Sequence, residues 1–352
     1  MTFIYFILII SILVFIHELG HFIVARYLGV EVEVFSIGFG KKIFSKKYKG
    51  TLWQVALIPL GGYVKMKGQD DTKPLKKNDS INSYNSKTPL QKIAILLAGP
   101  FANFILAFFI YIIIALNGSN ALKPTIGKIL PNSPAYKAGL KTADQIIQIN
   151  NIKIKQWSTI SKVINNSKKA LVFIIKRENK IYQKTIYPKI ETTKNIFKEN
   201  IRKKMIGISP NGEIITIKYS LYESLIYAYN KTVQATKLIV ISVQKLIVGI
   251  IPTKDIGGII SISQIISQAS QLSIISLLYI TALLSVNLGV LNLLPIPALD
   301  GGHIMFNLYE YITKRKPNQK VFIYMTIMGW FILVSLMLLG IYNDILRLLN
   351  IN

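Results

Sequence analysis

Four long apolar segments limit what this 352-residue chain can fold into. They run from Thr2 to about Tyr27, from Ile93 to Leu116, from about Ile274 to Leu294 and from about Val321 to Leu339. Each is close to the roughly 20 residues that an α-helix needs to cross about 30 Å of hydrocarbon. We therefore predict a polytopic α-helical membrane protein with about four transmembrane helices.

The first apolar segment resembles a signal peptide only in its length. No basic stretch precedes it, and no small-residue cleavage site follows it. We interpret the segment from Thr2 to Ala25 as a retained span.

A fifth apolar segment, from Leu221 to Ile251, is interrupted by charged residues. Glu223, Lys231, Lys237 and Lys245 are scattered along it. Such a pattern is typical of a helix that lies on the membrane interface or dips into it rather than crossing.

The net charge of +26 is typical of proteins that bind nucleic acid and of proteins with basic loops beside a lipid membrane. No nucleic-acid-binding motif accompanies the charge, so we expect no nucleic-acid partner. Basic loops beside a lipid bilayer explain it better. Because the chain contains no cysteine, disulfides and thiolate metal sites are excluded, and any metal must be bound by His, Asp or Glu.

The orientation follows from the charges of the loops. The loop 26–92 and the short loop 314–320 are rich in Lys and Arg. By the positive-inside rule both face the cytoplasm, which places both termini and the region between the second and third spans outside. We expect a bacterial inner membrane protein whose active site lies near the cytoplasmic side.

The motif HELGH lies inside the first span and carries His17, Glu18 and His21. Residues i and i+4 share one face of a helix, so the two histidines can bind one Zn²⁺ together. Glu18 is placed to accept a proton from the attacking water. A pair of packing histidines is the alternative, although ionisable residues within a span are costly and usually functional.

A catalytic zinc site needs a third protein ligand. The best candidate is Asp300, which follows the third span in NLGVLNLLPIPALDGGH. Pro295 and Pro297 break the helix before it, and Gly301 and Gly302 permit an unusual backbone after it. A polar turn that ends a span is the alternative. In the topology above, HELGH and Asp300 reach the same side of the membrane.

Together, HELGH, PLGGYVKMKG (59–68) and NLLPIPALDGG (292–302) resemble the site-2 protease family of intramembrane zinc metalloproteases. Their order and spacing are similar to those of the bacterial regulator-of-sigma-E protease branch. The resemblance implies one Zn²⁺ per chain, bound by His17, His21 and Asp300, with Glu18 as general base. It also implies that Asn292 helps to hold the substrate or the developing oxyanion.

The segment TLWQVALIPLGGYVKMKG reads as two short strands around a turn at Pro59, Gly61 and Gly62. In the family, such a membrane-associated β-hairpin offers an edge to an extended substrate. The resemblance therefore implies substrate binding by Gly61 and Gly62. From the second motif we add Asn292, Pro295 and Pro297 to that set. An ordinary amphipathic hairpin on the cytoplasmic face is the alternative.

The outer region, about 119–190, reads as a small α/β domain. Its stretch SPAYKAGLKTADQIIQINN resembles a PDZ domain, with Ala143 where a glycine is usual. The resemblance implies a peptide ligand or exclusion of substrates with bulky outer domains, and a spacer without a ligand is the alternative. We divide the chain into an N-terminal membrane half (1–116), the PDZ-like domain (117–192), a linker with an amphipathic helix (193–272) and a C-terminal membrane half (273–352).

The leading hypothesis is an intramembrane zinc endopeptidase that acts on transmembrane proteins in regulated intramembrane proteolysis. Anti-sigma factors and remnant signal peptides are the substrate classes that the resemblance implies. An inactive membrane scaffold is one alternative, and the intact HELGH motif argues against it. An ion-coupled transporter is another, but such proteins show broken helices in repeated halves, and no repeat is visible.

Overall fold

The computed structural model describes residues 2–69 and 80–349. The chain forms two compact units, Met1–Ile114 with Leu221–Asn352, and Ala115–Ser220. The second unit is an insertion into the first. The chain therefore leaves the helical unit once and returns to it.

In chain order the helices are α1 (Thr2–Tyr27), α2 (Pro89–Asn117), α3 (Pro134–Lys137), α4 (Trp157–Asn166), α5 (Leu221–Ile247), α6 (Ile259–Leu272), α7 (Ile274–Asn292), α8 (Asp300–Thr313) and α9 (Gln319–Leu348). Strands of the first unit are β1 (Val32–Tyr48) and β2 (Thr51–Met66). Those of the second are β3 (Ser119–Leu122), β4 (Ile126–Ile129), β5 (Gln145–Ile149), β6 (Ile152–Lys153), β7 (Leu171–Arg177), β8 (Lys180–Ile186), β9 (Lys189–Lys194), β10 (Asn200–Met205), β11 (Ile208–Pro210) and β12 (Ile214–Ile217). Short 3₁₀ helices cover Tyr84–Ser86 and Thr253–Asp255.

Local sequence signals set the ends of the first two helices. Gly29 follows α1 with a φ of 73°, a backbone conformation that ends helices and favours glycine. At the start of α2, the Thr88 amide donates to Gln91 Oε1 at 3.0 Å, and the Gln91 amide donates to Thr88 Oγ1 at 3.4 Å. This reciprocal pair is a capping box, and Pro89 between them suits the first helical turn.

The four predicted spans are confirmed by length and composition among the described residues. Helices α1, α2, α7 and α9 are long and apolar enough to cross a membrane. Helix α5 does not meet those criteria. It packs against α2 and α7 through Ala228, Ala235 and Ile239. The membrane placement of α5 remains a prediction.

The shorter helix α6 packs against both α1 and α7. Ile266 and Ala269 of α6 pack with Phe6 and Leu13 of α1 and with Leu277 of α7. This apolar cluster contacts both α1, which carries HELGH, and α7, which leads to Asp300. It therefore holds the two parts of the candidate site in one body.

The tight turn of the predicted hairpin lies at Lys49 and Gly50, both with positive φ. This differs from the predicted turn at Pro59, Gly61 and Gly62. Val34 of β1 is paired with Leu52 on one side and with Lys65 on the other. The first half of β1 therefore lies between two parts of β2. The strand changes its side of β1 near Gly61, whose φ is 152°. As a result, the segment 62–66 forms an edge of the sheet.

The inserted unit is a mixed α/β domain around one apolar core. Its largest sheet has the order β6-β5-β7-β8, while β11 pairs with β4 and β12 pairs with β3. Because of those two pairings, the unit continues to Ser220, beyond the predicted boundary at 192. Ala143 has a φ of 69°, a left-handed backbone conformation that favours glycine.

One buried ion pair organises this unit. Asp144 is fully buried, and Arg177 donates to its two oxygens at 2.7 and 2.8 Å. The same carboxylate accepts a hydrogen bond from the Lys141 amide. The hydrogen bond that Arg177 donates to Asp144 raises the pKa of the Arg177 guanidinium above its usual value.

Candidate active site

The two histidines of HELGH point to one side of α1 and meet there. Their Nε2 atoms lie 3.2 Å apart. Asp300 Oδ2 lies 3.2 Å from Nε2 of His17 and 3.4 Å from Nε2 of His21. The structure thus brings Asp300 to the two histidines, which lie more than 270 residues earlier in the sequence.

Small residues let α1 and α2 approach closely at this level. A Cβ atom on Gly20 would lie 2.3 Å from the Ala98 carbonyl oxygen, and one on Gly99 would lie 2.2 Å from Nε2 of His21. Neither position has room for a side chain. The imidazole of His21 therefore lies directly over the backbone of α2.

Asp300 is placed by the turn between α7 and α8. The chain leaves α7 at Asn292 and enters α8 at Asp300 itself. A Cβ atom on Gly301 would lie 2.2 Å from the Leu294 carbonyl oxygen, and one on Gly302 would lie 2.3 Å from that of Ile296. Both glycines are helical, so the expectation of an unusual backbone there is wrong. They are needed because the first turn of α8 packs against the preceding loop.

The donor atoms fit a zinc ion. Asp300 Oδ2 is buried and accepts no hydrogen bond, although it faces two imidazole nitrogens. Within residues 2–69 and 80–349, this is the one group of three His, Asp or Glu side chains close enough to share a metal ion. Two imidazoles and a carboxylate are a ligand set of catalytic zinc sites, in which a fourth position stays open.

Glu18 lies beside His17, His21 and Asp300, the candidate metal-ligand cluster, and against the sheet edge. A Cβ atom on Gly62 would lie 3.3 Å from Glu18 Cγ, so the strand passes directly beside this side chain. A cavity of about 420 Å³ opens over these groups. Its lining comprises His17, Glu18, His21, Tyr63, Val64, Lys65, Met66, Gln69, Leu96, Asn292, Ala298, Leu299 and Asp300.

The residues expected to bind substrate are placed at different distances from this cavity. Asn292 lines it, with Nδ2 3.5 Å from Nε2 of His17. Gly61 and Gly62 belong to the adjoining strand but are absent from the lining, as are the exposed Pro295 and the buried Pro297. The lining residues on this strand, Tyr63 to Met66, follow the two glycines directly.

Sequence reasoning missed the contacts that α2 makes to the two histidines. Nδ1 of His21 lies 2.8 Å from the Ile95 carbonyl oxygen, and Nδ1 of His17 lies 3.1 Å from Nδ2 of Asn103. Asn103 is a polar residue inside the second span, and that position was the signal that could have identified it. The Ile95 contact uses the main chain and leaves no mark in the sequence.

The sequence of the chain matches a known protein family. The model of peptidase family M50 matches residues 5–336.

The chain belongs to peptidase family M50.

Relatives carry names of the same activity. A Campylobacter jejuni protein named "Putative zinc metalloprotease Cj1068" is 50% identical over 98% of this chain and 93% of its own. A Helicobacter pylori protein named "Putative zinc metalloprotease" is 41% identical over 99% of this chain and 100% of its own. The Bacillus subtilis "Regulator of sigma-W protease RasP" is 31% identical over 99% of each chain.

Family membership and these relatives identify the protein as a membrane metalloendopeptidase with zinc as its cofactor. The four apolar helices agree with a membrane location. The two-histidine, one-carboxylate cluster is the place in the described structure where such an ion fits.

Proposed function

We propose that this protein cleaves peptide bonds in or near the transmembrane segments of membrane proteins, with His17, His21 and Asp300 as zinc ligands and Glu18 as general base. The observation that carries the proposal is the cluster itself. Three donor atoms converge within the helical unit, and Glu18 lies beside them at a cavity large enough for a short peptide segment.

Zinc would supply Lewis acidity at this site, which activates water at neutral pH and polarises the carbonyl of the bond to be cut. Glu18 takes the proton of the attacking water and returns it to the leaving amine. We propose that Asn292, whose Nδ2 lies 3.5 Å from Nε2 of His17, donates a hydrogen bond to the oxygen of the carbonyl under attack.

The sheet edge presents the substrate. A helical substrate keeps its carbonyl groups in hydrogen bonds, so it must be unwound before a carbonyl can reach the cavity. In the register of the described residues, the segment 62–66 is paired with β1 on one side, and its residues Tyr63–Met66 line the cavity. We infer that an extended substrate adds to this segment as a strand. Gly61 and Gly62 support that binding by letting the strand pack closely against Phe39 and Ser36.

The inserted unit is proposed to be a PDZ-like domain. Support comes from its mixed α/β core and from the short helix and strand at SPAYKAGLKTADQIIQINN. In this proposal it binds an extended peptide or keeps substrates with large outer domains away. The substrates are then membrane-anchored stubs, of the anti-sigma-factor or remnant-signal-peptide kind.

The test is Glu18→Gln in the full chain, purified and reconstituted with a model transmembrane peptide. We expect cleavage to fall by about 10²-fold or more, because the general base is lost while all three ligands remain. Zinc content, measured by elemental analysis, should stay at the wild-type value.

The matched control is Glu178→Gln, the same chemical change in the exposed turn between β7 and β8. It should cleave like the wild type. Unchanged cleavage in Glu18→Gln would exclude Glu18 as the base. Comparing membrane fractions from wild-type and Glu18→Gln cells would then identify substrates as the stubs that accumulate.

A further inference from the structure

Asn103 is a fully buried polar residue in the middle of α2, and the mechanism above does not use it. Its side-chain Nδ2 lies 3.1 Å from Nδ1 of His17, which is 86 residues away in sequence. This ring nitrogen is the one that faces away from the cluster. Nε2 of the same ring faces Asp300 and His21.

The two ring nitrogens of His17 must have opposite roles. If Nε2 binds a metal, it needs a free lone pair, and the proton of the neutral imidazole must then be on Nδ1. A protonated Nδ1 is a donor and needs an acceptor. Metal-binding histidines usually obtain one from a carboxylate, a carbonyl or water, which fixes the tautomer and the ring orientation.

Asn103 can supply that acceptor after one rotation. As placed, its amide nitrogen faces Nδ1, while its Oδ1 is buried without a hydrogen-bond partner. A half-turn about the Cβ–Cγ bond exchanges the two atoms within nearly the same space. The Oδ1 atom would then accept the Nδ1 proton, so one rotation provides the acceptor and removes the unpartnered oxygen.

His21 shows the same requirement met by the main chain. Its Nδ1 lies 2.8 Å from the Ile95 carbonyl oxygen, which can only accept. Helix α2 therefore serves both histidines, one through a carbonyl and one through a side chain. The Asn103 main chain is held in turn by Ser285 of α7, whose Oγ donates to its carbonyl oxygen at 2.7 Å.

We propose that Asn103 is a positioning residue that accepts the Nδ1 proton of His17 through Oδ1 and so holds the imidazole in the tautomer and orientation that zinc binding requires. The inference rests on the proposed ligand set. It concerns metal affinity, which can be measured without any substrate.

The experiment compares zinc dissociation constants of the full chain in detergent, measured by competition with a chromophoric chelator. Asn103→Leu keeps the size of the side chain and removes the acceptor. We expect it to weaken zinc binding by about 10–100-fold. Asn103→Asp keeps an acceptor oxygen and should stay within about threefold of the wild type.

Ser285→Ala is the matched control for packing between α2 and α7. It removes a buried hydrogen bond at Asn103 but leaves the contact to His17. Its zinc affinity should stay near the wild-type value. The role of Asn103 is overturned if Asn103→Leu binds zinc like the wild type, if Asn103→Asp is as weak as Asn103→Leu, or if Ser285→Ala is equally weakened.

His17→Ala separates this inference from the ligand set. Wild-type affinity in His17→Ala would overturn the ligand set itself. Loss of zinc in His17→Ala with normal affinity in Asn103→Leu would overturn the role of Asn103 alone.

Discussion

At the scale of single residues, the metal-ligand cluster depends as much on missing side chains as on those present. Gly20 and Gly99 let α1 and α2 touch, and Gly301 and Gly302 let α8 begin against its own loop. Each lies where a Cβ atom would meet backbone or a proposed ligand. The ligand geometry is therefore sensitive to the addition of one methyl group.

Gly99→Ala tests this sensitivity. The new Cβ would lie 2.2 Å from Nε2 of His21, so the imidazole must move although the Ile95 carbonyl holds its other nitrogen. We expect at least about tenfold weaker zinc binding, the loss typical of disturbed ligand orientation, in the same chelator competition.

Gly289→Ala is the matched helical control. The nearest atom to its Cβ is the Pro100 carbonyl oxygen at 3.1 Å, which a small shift can accommodate. Both substitutions raise intrinsic helix propensity by about 1 kcal/mol, so propensity does not separate them. Equal zinc affinity in the two variants would contradict the steric argument.

At the scale of elements, the buried residues of α9 lie in two regions of the helix, 322–329 and 340–344. Gly329 packs against Ala298 near the α7–α8 loop. About four turns later, Asn343, Asp344 and Arg347 bind the segment 253–261. None of the residues 330–339 between these regions is buried. The second region is polar, which is unusual for a helix of this apolar composition.

Asp344→Ala tests the polar attachment. The buried carboxylate accepts hydrogen bonds from the amides of Gly258, Ile260 and Ser261 at the start of α6, at 2.9–3.0 Å. An unsatisfied buried donor costs about 1–3 kcal/mol. We expect the free energy of unfolding to fall by about 3 kcal/mol, measured as a lower unfolding temperature in detergent.

Asp255→Ala removes an exposed carboxylate from the same segment and is the control. It should unfold like the wild type. If Asp344→Ala did so too, the attachment of α6 to α9 would not contribute to stability.

At the scale of the whole molecule, charge and topology together predict the orientation in the membrane. The hairpin and the loop before α9 are basic, which predicts that they face the cytoplasm and that the inserted unit lies outside. The inserted unit is also basic, but long domains translocate largely regardless of their charge.

The chain contains no cysteine, so a single introduced thiol reports its own location. Lys180→Cys lies in the exposed β7–β8 hairpin of the inserted unit, and Lys47→Cys lies in the exposed part of β1. A membrane-impermeant maleimide added to intact spheroplasts should label the Lys180→Cys variant directly. The Lys47→Cys variant should react only after the membrane is opened, and the reverse pattern would invert the predicted topology.

Several features could be predicted because they are local. A span is an apolar run of sufficient length, and the spacing of His17 and His21 follows from the helical repeat. Asp300 could be chosen because a carboxylate near a span needs a partner. The hairpin was predicted as well, but its tight turn was placed about ten residues too late. Gly61 and Gly62 suggest a turn from the sequence alone. In the structure they lie within β2, where the strand moves to the other side of β1 and packs beside Glu18.

The sequence by itself therefore determined the spans, the zinc chemistry and the residues proposed to carry it, because each depends on residue type and short-range spacing. Only the tertiary structure decided what surrounds them. The carbonyl of Ile95 and the amide of Asn103 meet the histidines across 74 and 86 residues of chain. Such contacts arise when two helices pack at one particular depth and rotation, and no local pattern encodes that choice. In our proposal they decide which ring nitrogen is left for the metal.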